Sequence, residues 1–310
     1  MTPRLSAHGI TLGYGDRPVI AGLDFAVPDG EVTAIIGPNG CGKSTLLRGL
    51  GRLLTPTAGQ VLLDGVPLHR IPTRTVARTI ALLPQSPSAP SGLTVAELVA
   101  RGRHPHQRWY EQFGRGDERI VREAMAATGV EPFADIPVDE LSGGQRQRAW
   151  LSMTLAQQTD IVLLDEPTTF LDLAHQVEVL ELARELNVRH GRTVVMVLHD
   201  ISLAARYASR IVAMKEGRIV TSGAPEDVVT EPMLAEVFGL TATVIREPVL
   251  GRPHVIPLGT AGTRQDFSGR RASVSSSPCA ASDPLRPPPY PRSANASSTA
   301  TQAPATGPAT

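Results

Sequence analysis

The sequence is poor in cysteine and in long apolar runs. Only two of its 310 residues are cysteine, Cys41 and Cys279; this is too few for a disulfide framework and fits a reducing compartment. Apolar runs such as residues 161–164 and 194–198 are far shorter than the roughly 20 residues that cross a bilayer. The first residues also lack the apolar core of a signal peptide. We therefore expect the chain to stay in the cytosol.

The chain also has no excess of charge of either sign. Thirty basic side chains balance thirty acidic ones, whereas a protein that coats nucleic acid usually carries a basic excess or stripe. We therefore expect no nucleic-acid partner. With 41% apolar and only 4% aromatic residues, the composition is that of a globular chain with one or two domains and a sizeable core.

A glycine-rich loop fits the phosphate-binding pattern G-x-x-x-x-G-K-[ST] at every fixed position. Its glycines let many backbone N–H groups converge on one polyphosphate. Lys43 can then reach the outer phosphates, and the Ser44 hydroxyl can join the ligands of Mg²⁺. Residues 32–36 predict a buried strand entering the loop, and residues 44–54 a helix leaving it. The pattern alone does not indicate which reaction is catalysed. It predicts a nucleotide site formed by Gly37, Pro38, Asn39, Gly40, Cys41, Gly42, Lys43, Ser44 and Thr45.

Two carboxylates follow the apolar run of residues 161–164. Asp165 and Glu166 precede Pro167, which cannot continue a strand ladder. In a parallel sheet these carboxylates arrive beside the phosphate loop. There Asp165 can hold Mg²⁺ through its waters, and Glu166 can polarise the water that attacks the terminal phosphate. We predict that Glu166 is the catalytic base.

Between these motifs, residues 141–148 read Leu-Ser-Gly-Gly-Gln-Arg-Gln-Arg. Ser142 has the character of a helix N-cap, and Gly143 and Gly144 leave backbone donors bare at the positive end of the helix dipole. The segment is a candidate second anion site. Taken alone, it is better interpreted as a capped helix with a flexible start.

The phosphate loop, residues 141–145 and residues 161–166, in this order and spacing, resemble an ABC transporter ATP-binding subunit. The resemblance covers about residues 4–240. It implies an α/β fold with a P-loop NTPase core and parallel sheet, an N-terminal antiparallel β subdomain, and a helical subdomain that carries the LSGGQ motif. It also implies ATP and Mg²⁺, with Mg²⁺ ligands at Ser44, Gln85 and Asp165.

Smaller motifs of the family match single residues of this chain. Tyr14 matches the aromatic that stacks on adenine, and Gln85 matches the glutamine that reaches Mg²⁺ and senses the membrane partner. Asp172 matches the loop that meets the other subunit, although Phe170 stands where small residues are frequent. His199 matches the switch histidine that contacts the terminal phosphate, and it is the next candidate for the base after Glu166.

The resemblance further implies an assembly. Two copies face head to tail, and each ATP lies between Lys43 of one copy and the motif of the other, formed by Ser142, Gly143, Gly144 and Gln145. ATP-driven closure would move integral membrane permease subunits, which receive substrate from a periplasmic or lipid-anchored binding protein. The chain would then lie peripherally on the cytoplasmic face of the cell membrane.

Two stretches indicate what is transported. Residues 93–106 and 171–175 are similar to those of importers for iron-siderophore complexes, cobalamin and haem, so we expect the chain to power import of an iron-siderophore complex, with cobalamin, haem or metal-ion import as the alternative. We interpret residues 93–106 as a docking surface for membrane-subunit helices. An ABC ATPase of DNA repair would need a long heptad insertion between Gln85 and Leu141, where only about fifty residues lie. A translation-associated member would carry two cassettes, and a small-molecule kinase would leave Ser142 and His199 unexplained.

The sequence divides into three parts. Residues 4–240 form the predicted ATP-binding domain, and residues 241–259 a short extension with one terminal strand at residues 243–249, which Pro248 would confine to a sheet edge. Residues 260–310 are rich in Ser, Ala, Thr and Pro, which predicts disorder. Within the domain, residues 172–183 predict an amphipathic helix with one apolar face, formed by Leu173, Val177, Leu180 and Ala183.

Overall fold

A six-stranded sheet forms the centre of the computed structural model, in which residues 3–15, 17–107 and 114–260 are described. Every neighbouring pair is parallel except the last at one edge, where the strand Arg218–Gly223 runs antiparallel to the strand Arg210–Lys215. Across the sheet the order is β10 (Arg218–Gly223), β9 (Arg210–Lys215), β3 (Val32–Ile36), β8 (Thr193–Val197), β7 (Ile161–Asp165) and β6 (Ile80–Leu83). The predicted parallel sheet is confirmed.

The central strands are continuous apolar runs because both faces of the sheet are covered. Every residue of β3, β7 and β8 is buried. Their register aligns Ile35 with Val197, and Val197 with Asp165. The carboxyl ends of the three strands therefore meet at one edge of the sheet, and the segments that follow them are brought together.

An antiparallel sheet covers one face of this central sheet. Its strands, in order, are β2 (Arg17–Val27), β1 (Leu5–Tyr14), β4 (Ala58–Leu63) and β5 (Val66–Pro67). Between the two sheets, α1 (Lys43–Leu50) contributes Leu46, Leu47 and Leu50 to one hydrophobic core together with Ile35. Because strand side chains alternate, Ala34 and Ile36 belong to the second core on the opposite face. The predicted N-terminal antiparallel subdomain is confirmed.

Three helices form a subdomain beside the sheet: α3 (Val95–Ala100), α4 (Arg115–Ala127) and α5 (Gly143–Ala156). Arg103 ties its parts together, because its Nε donates to Asp117 Oδ1 at 2.8 Å and its Nη1 to the Ala156 carbonyl at 2.8 Å. Its side chain is only 8% exposed, so both partners offset the cost of burying a charge. The expected helical subdomain, which carries residues 141–145, is confirmed.

The remaining helices are α2 (Thr73–Thr79), α6 (Leu173–His190), α7 (Ile201–Tyr207), α8 (Pro225–Val228) and α9 (Glu231–Phe238). The predicted apolar face of α6 is partly wrong: Leu173 is 69% exposed, and the buried face is formed by Val179, Leu180, Ala183 and Leu186. The helix after the phosphate loop ends at Leu50 rather than at residue 54, since Arg52 takes a positive φ of 62°. None of the described helices is both long and apolar enough to cross a bilayer.

The chain after α9 folds into a hairpin of β11 (Leu240–Arg246) and β12 (Pro253–Thr260). The predicted single strand at residues 243–249 is corrected, because the first strand starts earlier and ends before Pro248, and a second strand pairs with it. Thr260, assigned by sequence to the tail, closes β12. The predicted disorder of residues 261–310 lies outside the described residues.

Candidate ATP site

A cavity of about 470 Å³ opens at the edge where β3, β7 and β8 end. The loops that follow these strands and the first turns of α1 supply most of its walls, with β1 and β2 closing one side. It brings together ten of the residues predicted from sequence: Tyr14, Asn39, Gly40, Gly42, Lys43, Ser44, Thr45, Gln85, Glu166 and His199.

Two glycines of the phosphate loop are required for steric reasons. A Cβ on Gly37 would overlap the Met214 carbonyl oxygen and lie 2.7 Å from Cys41 Sγ, so only glycine fits beneath the loop. Gly42, at φ 106°, lies in a region that L-residues rarely adopt and precedes the first residue of α1. Cys41 is 4% exposed, and burial raises the pKa of its thiol. The Cys41 side chain therefore lies beneath the loop rather than on its cavity side.

Lys43 lies inside the loop rather than in solvent, with 5% exposure. Its Nζ donates to the carbonyl oxygens of Gly37 and Pro38, both at 2.9 Å. Since an ammonium group has three donors, these two bonds leave one donor for an anion bound at the loop. The two carbonyl bonds fix the charge at the positive end of α1, where the helix dipole also favours an anion.

Asp165 ends β7 and is 1% exposed. Its Oδ1 accepts a 2.7 Å hydrogen bond from Ser44 Oγ, while Oδ2 is buried with no hydrogen-bond partner among the described residues. Burial raises the pKa of this carboxyl, and the Ser44 hydrogen bond opposes that shift. An orphaned carboxylate oxygen beside a hydroxyl is the oxygen-rich environment that Mg²⁺ prefers. Ser44 and Asp165 therefore fit the predicted magnesium site.

Glu166 is held by groups from three different loops. Its Oε2 accepts from Gln85 Nε2 at 2.8 Å and from Thr169 Oγ1 at 3.2 Å, and its Oε1 lies 2.8 Å from His199 Nε2. The residue is 8% exposed and has a positive φ of 52°, which is costly for a side chain of this kind. The carboxylate is fixed at the cavity wall, and Gln85 contacts it there as well as lining the cavity.

Tyr14 lies at the open end of the cavity with half of its surface exposed. Its hydroxyl accepts a 2.9 Å hydrogen bond from Arg48 Nη1, and Arg48 projects from α1 into the same cavity. The ring is therefore held in place by a residue that the phosphate-loop pattern does not include. The sequence analysis did not assign Arg48 or Thr169 to the site; the one available signal was a guanidinium or hydroxyl a few residues from a predicted site residue.

The predicted second anion site is built as a capped helix and lies apart from this cavity. Ser142 Oγ accepts from Gln145 N at 3.3 Å, and Gln145 Oε1 accepts from Ser142 N at 3.0 Å, which makes a capping box. Gly143 and Gly144 expose the first turn of α5. These residues line a different groove of about 600 Å³ with Phe170 and Asp172. Asp172 caps α6 by accepting from His175 N at 2.9 Å.

The parallel sheet, the glycine loop and the buried Asp165 and Glu166 at its carboxyl edge define a P-loop nucleotide-binding protein. The sequence profile described as ABC transporter matches residues 20–169. The chain is 52% identical to the petrobactin import ATP-binding protein FpuD of Bacillus anthracis, over 84% of this chain and 95% of the relative. It is 53% identical to the ferric enterobactin transport ATP-binding protein FepC of Escherichia coli (strain K12), over 83% of this chain and 94% of the relative.

Solved structures agree with these relatives. The dimeric post-hydrolysis state of the ATP-binding cassette MJ0796 bound to ADP and Pi superposes with a TM-score of 0.65 at 28% identity, covering 71% of this chain and 98% of the cassette. Sequence identity above 50% over most of this chain and of each relative establishes common descent with FpuD and FepC. The chain belongs to the ABC transporter family and is one of its ATP-binding subunits.

Proposed function

We propose that this chain hydrolyses ATP to drive the import of an iron-siderophore complex. The main support for hydrolysis is the position of the Glu166 carboxylate, which is buried at the cavity wall and held by Gln85, Thr169 and His199. A fixed, hydrogen-bonded carboxylate facing a phosphate loop is suited to orient and deprotonate the water that attacks a terminal phosphate.

The other residues of the cavity are assigned to binding. Backbone N–H groups of the phosphate loop and the third donor of Lys43 hold the phosphates, and the Tyr14 ring stacks on the base. Ser44, Asp165 and Gln85 would hold Mg²⁺, which when bound neutralises charge on the transferring phosphoryl group. His199 orients Glu166 from the end of β8 through Nε2; because Nε2 carries one proton, it would donate to the terminal phosphate only in place of Glu166.

The site requires two copies. The groove at Ser142, Gly143, Gly144 and Gln145 is separate from the cavity in one chain, yet its bare helix N-terminus is suited to a phosphate. We infer that this groove completes the cavity of a second copy, and the dimeric MJ0796 cassette supports this arrangement. Closure around ATP and reopening after hydrolysis would move permease subunits on the cytoplasmic face of the membrane.

The substrate class is inferred from the relatives, whose names specify petrobactin and ferric enterobactin. The residues that line the cavity are suited to a nucleotide, so the iron complex would be bound by the permease and by a periplasmic or lipid-anchored binding protein. Residues 93–106, which include α3, would dock the permease.

The shared site is tested with Ser142→Arg. A bulky cation at the cap should leave ATP binding to the cavity of the same copy nearly unchanged, since Ser142 lies outside it, but should abolish hydrolysis. ATP affinity by calorimetry and phosphate release are the two measurements. Loss of ATP binding with unchanged turnover per bound ATP would contradict a shared site.

The transport role is tested by deleting the gene and growing the cells on one defined ferric siderophore or on free iron salt. Growth on at least one siderophore should be lost and should return with the wild-type chain but not with Glu166→Gln. Uptake of every iron chelate at the normal rate would exclude the iron-siderophore assignment, while the ATPase assignment would still be decided by phosphate release from the wild-type chain and from Glu166→Gln.

A further inference from the structure

One stretch of this neutral chain is strongly basic. Residues 65–107 contain five arginines and no lysine, and Glu97 is the one acidic residue among them. Glu97 is engaged in the capping box of α3, and Arg103 is buried in its ion pair with Asp117. The remaining arginines of the stretch are exposed: Arg70, Arg74, Arg78 and Arg101. The balance of charge over the whole chain therefore conceals a local positive excess.

Arg74 and Arg78 bring two positive charges together on α2. They lie one helical turn apart, and the Nε atoms of both donate to the carbonyl oxygen of Pro105, at 2.8 and 2.7 Å. Because both bonds end on one oxygen atom, the two guanidinium groups lie side by side, where like charges repel each other. Neither forms an ion pair with a carboxylate of the described residues. Their Nη donors therefore remain for an anion from outside the described chain.

Arg52 adds a further cation from the segment that follows α1. Its Nη1 donates to the Ile71 carbonyl at 2.6 Å and its Nη2 to the His69 carbonyl at 3.4 Å. These bonds fix the backbone on both sides of Arg70. Backbone carbonyls, which carry no net charge, thus hold several of these side chains in place without neutralising them. We define the basic patch as Arg52, Arg70, Arg74 and Arg78.

We propose that the basic patch binds the phosphate groups of anionic phospholipids in the cytoplasmic leaflet of the membrane. The orientation rests on the proposed function: Pro105, which anchors Arg74 and Arg78, belongs to residues 93–106, which we assign to permease docking. The patch then lies on the side of the chain that faces the bilayer. Contact with lipid would hold the ATP-binding subunit at the membrane beside its permease.

The chemistry of the basic patch favours phosphate groups over a single carboxylate. Guanidinium groups bind phosphate oxygens through several N–H donors at once. The charges come from three successive positions in the fold, namely the end of α1, the segment before α2 and α2 itself. Such a spread matches a surface that carries many anions, and each cationic side chain near an anionic leaflet adds to the attraction.

The experiment measures binding of the full chain to lipid vesicles by flotation, without permease and without ATP. Vesicles of phosphatidylcholine alone are compared with vesicles that also contain about 30% phosphatidylglycerol, which is anionic. The chain should bind only the anionic vesicles. Binding should be lost when salt is raised from about 0.1 M to about 1 M, because the Debye length falls from about 10 Å to about 3 Å.

Two double variants test the residues of the patch. Arg74→Gln with Arg78→Gln removes two charges and should weaken binding to anionic vesicles by about 10- to 30-fold. Arg74→Lys with Arg78→Lys keeps both charges and should retain most of the binding. ATP affinity should match that of the wild type in both, since neither residue lines the ATP cavity, and this shows that the variants fold.

Arg184→Gln with Arg189→Gln is the matched control. Both arginines are exposed on α6, so the control removes the same charge from a different surface. It should weaken binding to anionic vesicles by less than about 3-fold, because charges beyond the Debye length from the leaflet contribute little.

Four results would overturn the proposal: equal binding to both kinds of vesicle, no binding to either, equal losses in the control and the glutamine variant, or a lysine variant as weak as the glutamine variant. Binding that appears only when the permease is present in the vesicles would assign the patch to acidic side chains of that protein and would also overturn it. The proposed function is tested separately by phosphate release, so a failure of vesicle binding and a failure of ATP hydrolysis are distinguishable.

Discussion

His199 Nε2 lies 2.8 Å from Glu166 Oε1, so the residues that follow β8 and β7 share one contact. The two strands are neighbours with Asp165 paired to Val197, and the short segments beyond this pair leave their side chains within reach. The contact depends on sheet order, because the two residues are distant in the chain. It places a proton-carrying group against the carboxylate that faces the phosphate loop.

Replacing Glu166 by glutamine should abolish most turnover without abolishing ATP binding. The amide retains the shape and part of the hydrogen bonding but cannot accept the proton of water, and removing a general base typically costs about 10²- to 10⁴-fold in rate. Phosphate release in single-turnover assays measures the effect. Normal turnover in Glu166→Gln would transfer the role of base to His199.

Thr169 is predicted to position the Glu166 carboxylate. Thr169→Val removes the hydroxyl at nearly constant volume, and loss of a hydrogen bond worth about 0.5–1.5 kcal/mol should lower kcat by about 3- to 10-fold. The KM for ATP should stay nearly constant, because the hydroxyl contacts the base and not the cavity. Thr169→Ser should restore kcat; a serine variant as slow as the valine variant would indicate a packing role instead.

Tyr14 should contribute to ATP affinity through its ring and, to a smaller extent, through its hydroxyl. Stacking of a base on an aromatic side chain is worth about 1–3 kcal/mol, so Tyr14→Ala should weaken ATP binding by about 5- to 100-fold. Tyr14→Phe keeps the ring and loses only the 2.9 Å bond from Arg48, and its affinity should fall by less than about 5-fold. Calorimetric titration distinguishes the two, and equal losses would show that the hydroxyl, not stacking, dominates.

Gly37→Ala should destabilise the fold itself. Its Cβ would overlap the Met214 carbonyl oxygen, and overpacking against backbone should cost at least about 2 kcal/mol of unfolding free energy. Gly92→Ala is a matched control: Gly92 also has a positive φ, 76°, but open space around it, so the cost should be about 1 kcal/mol. Urea unfolding measures both, and equal losses would contradict the steric argument.

Cys41 should react slowly with thiol reagents at neutral pH. Burial raises the pKa of its thiol, and because the thiolate is the nucleophile, iodoacetamide labelling should accelerate only as the pH rises above the range in which an exposed thiol ionises. Cys279→Ala removes the other cysteine from the measurement. Bound ATP should slow labelling further. Rapid labelling at pH 7 that is independent of ATP would show that the phosphate loop opens readily.

The local motifs were predictable because each depends on a short run of residues. The strand at Val32–Ile36, the N-cap at Ser142 and the carboxylates after residue 164 are found where the sequence indicated. Elements whose pattern depends on distant partners were less well predicted. The exposed Leu173 and the hairpin of β11 and β12 differ from expectation, because periodicity does not specify which face a neighbouring element covers.

The sequence by itself determined the chemistry of this protein. Each motif is defined by residues adjacent in the chain, so covalent connection fixes its geometry. The motifs are the phosphate loop, the acidic pair after a buried strand, and the capped helix N-terminus that begins with two glycines. Only the tertiary structure decided that Arg48 holds Tyr14, that His199 holds Glu166, and that Phe170 lies against Gly143. Those relationships arise from strand order and packing, which join residues that the chain keeps apart.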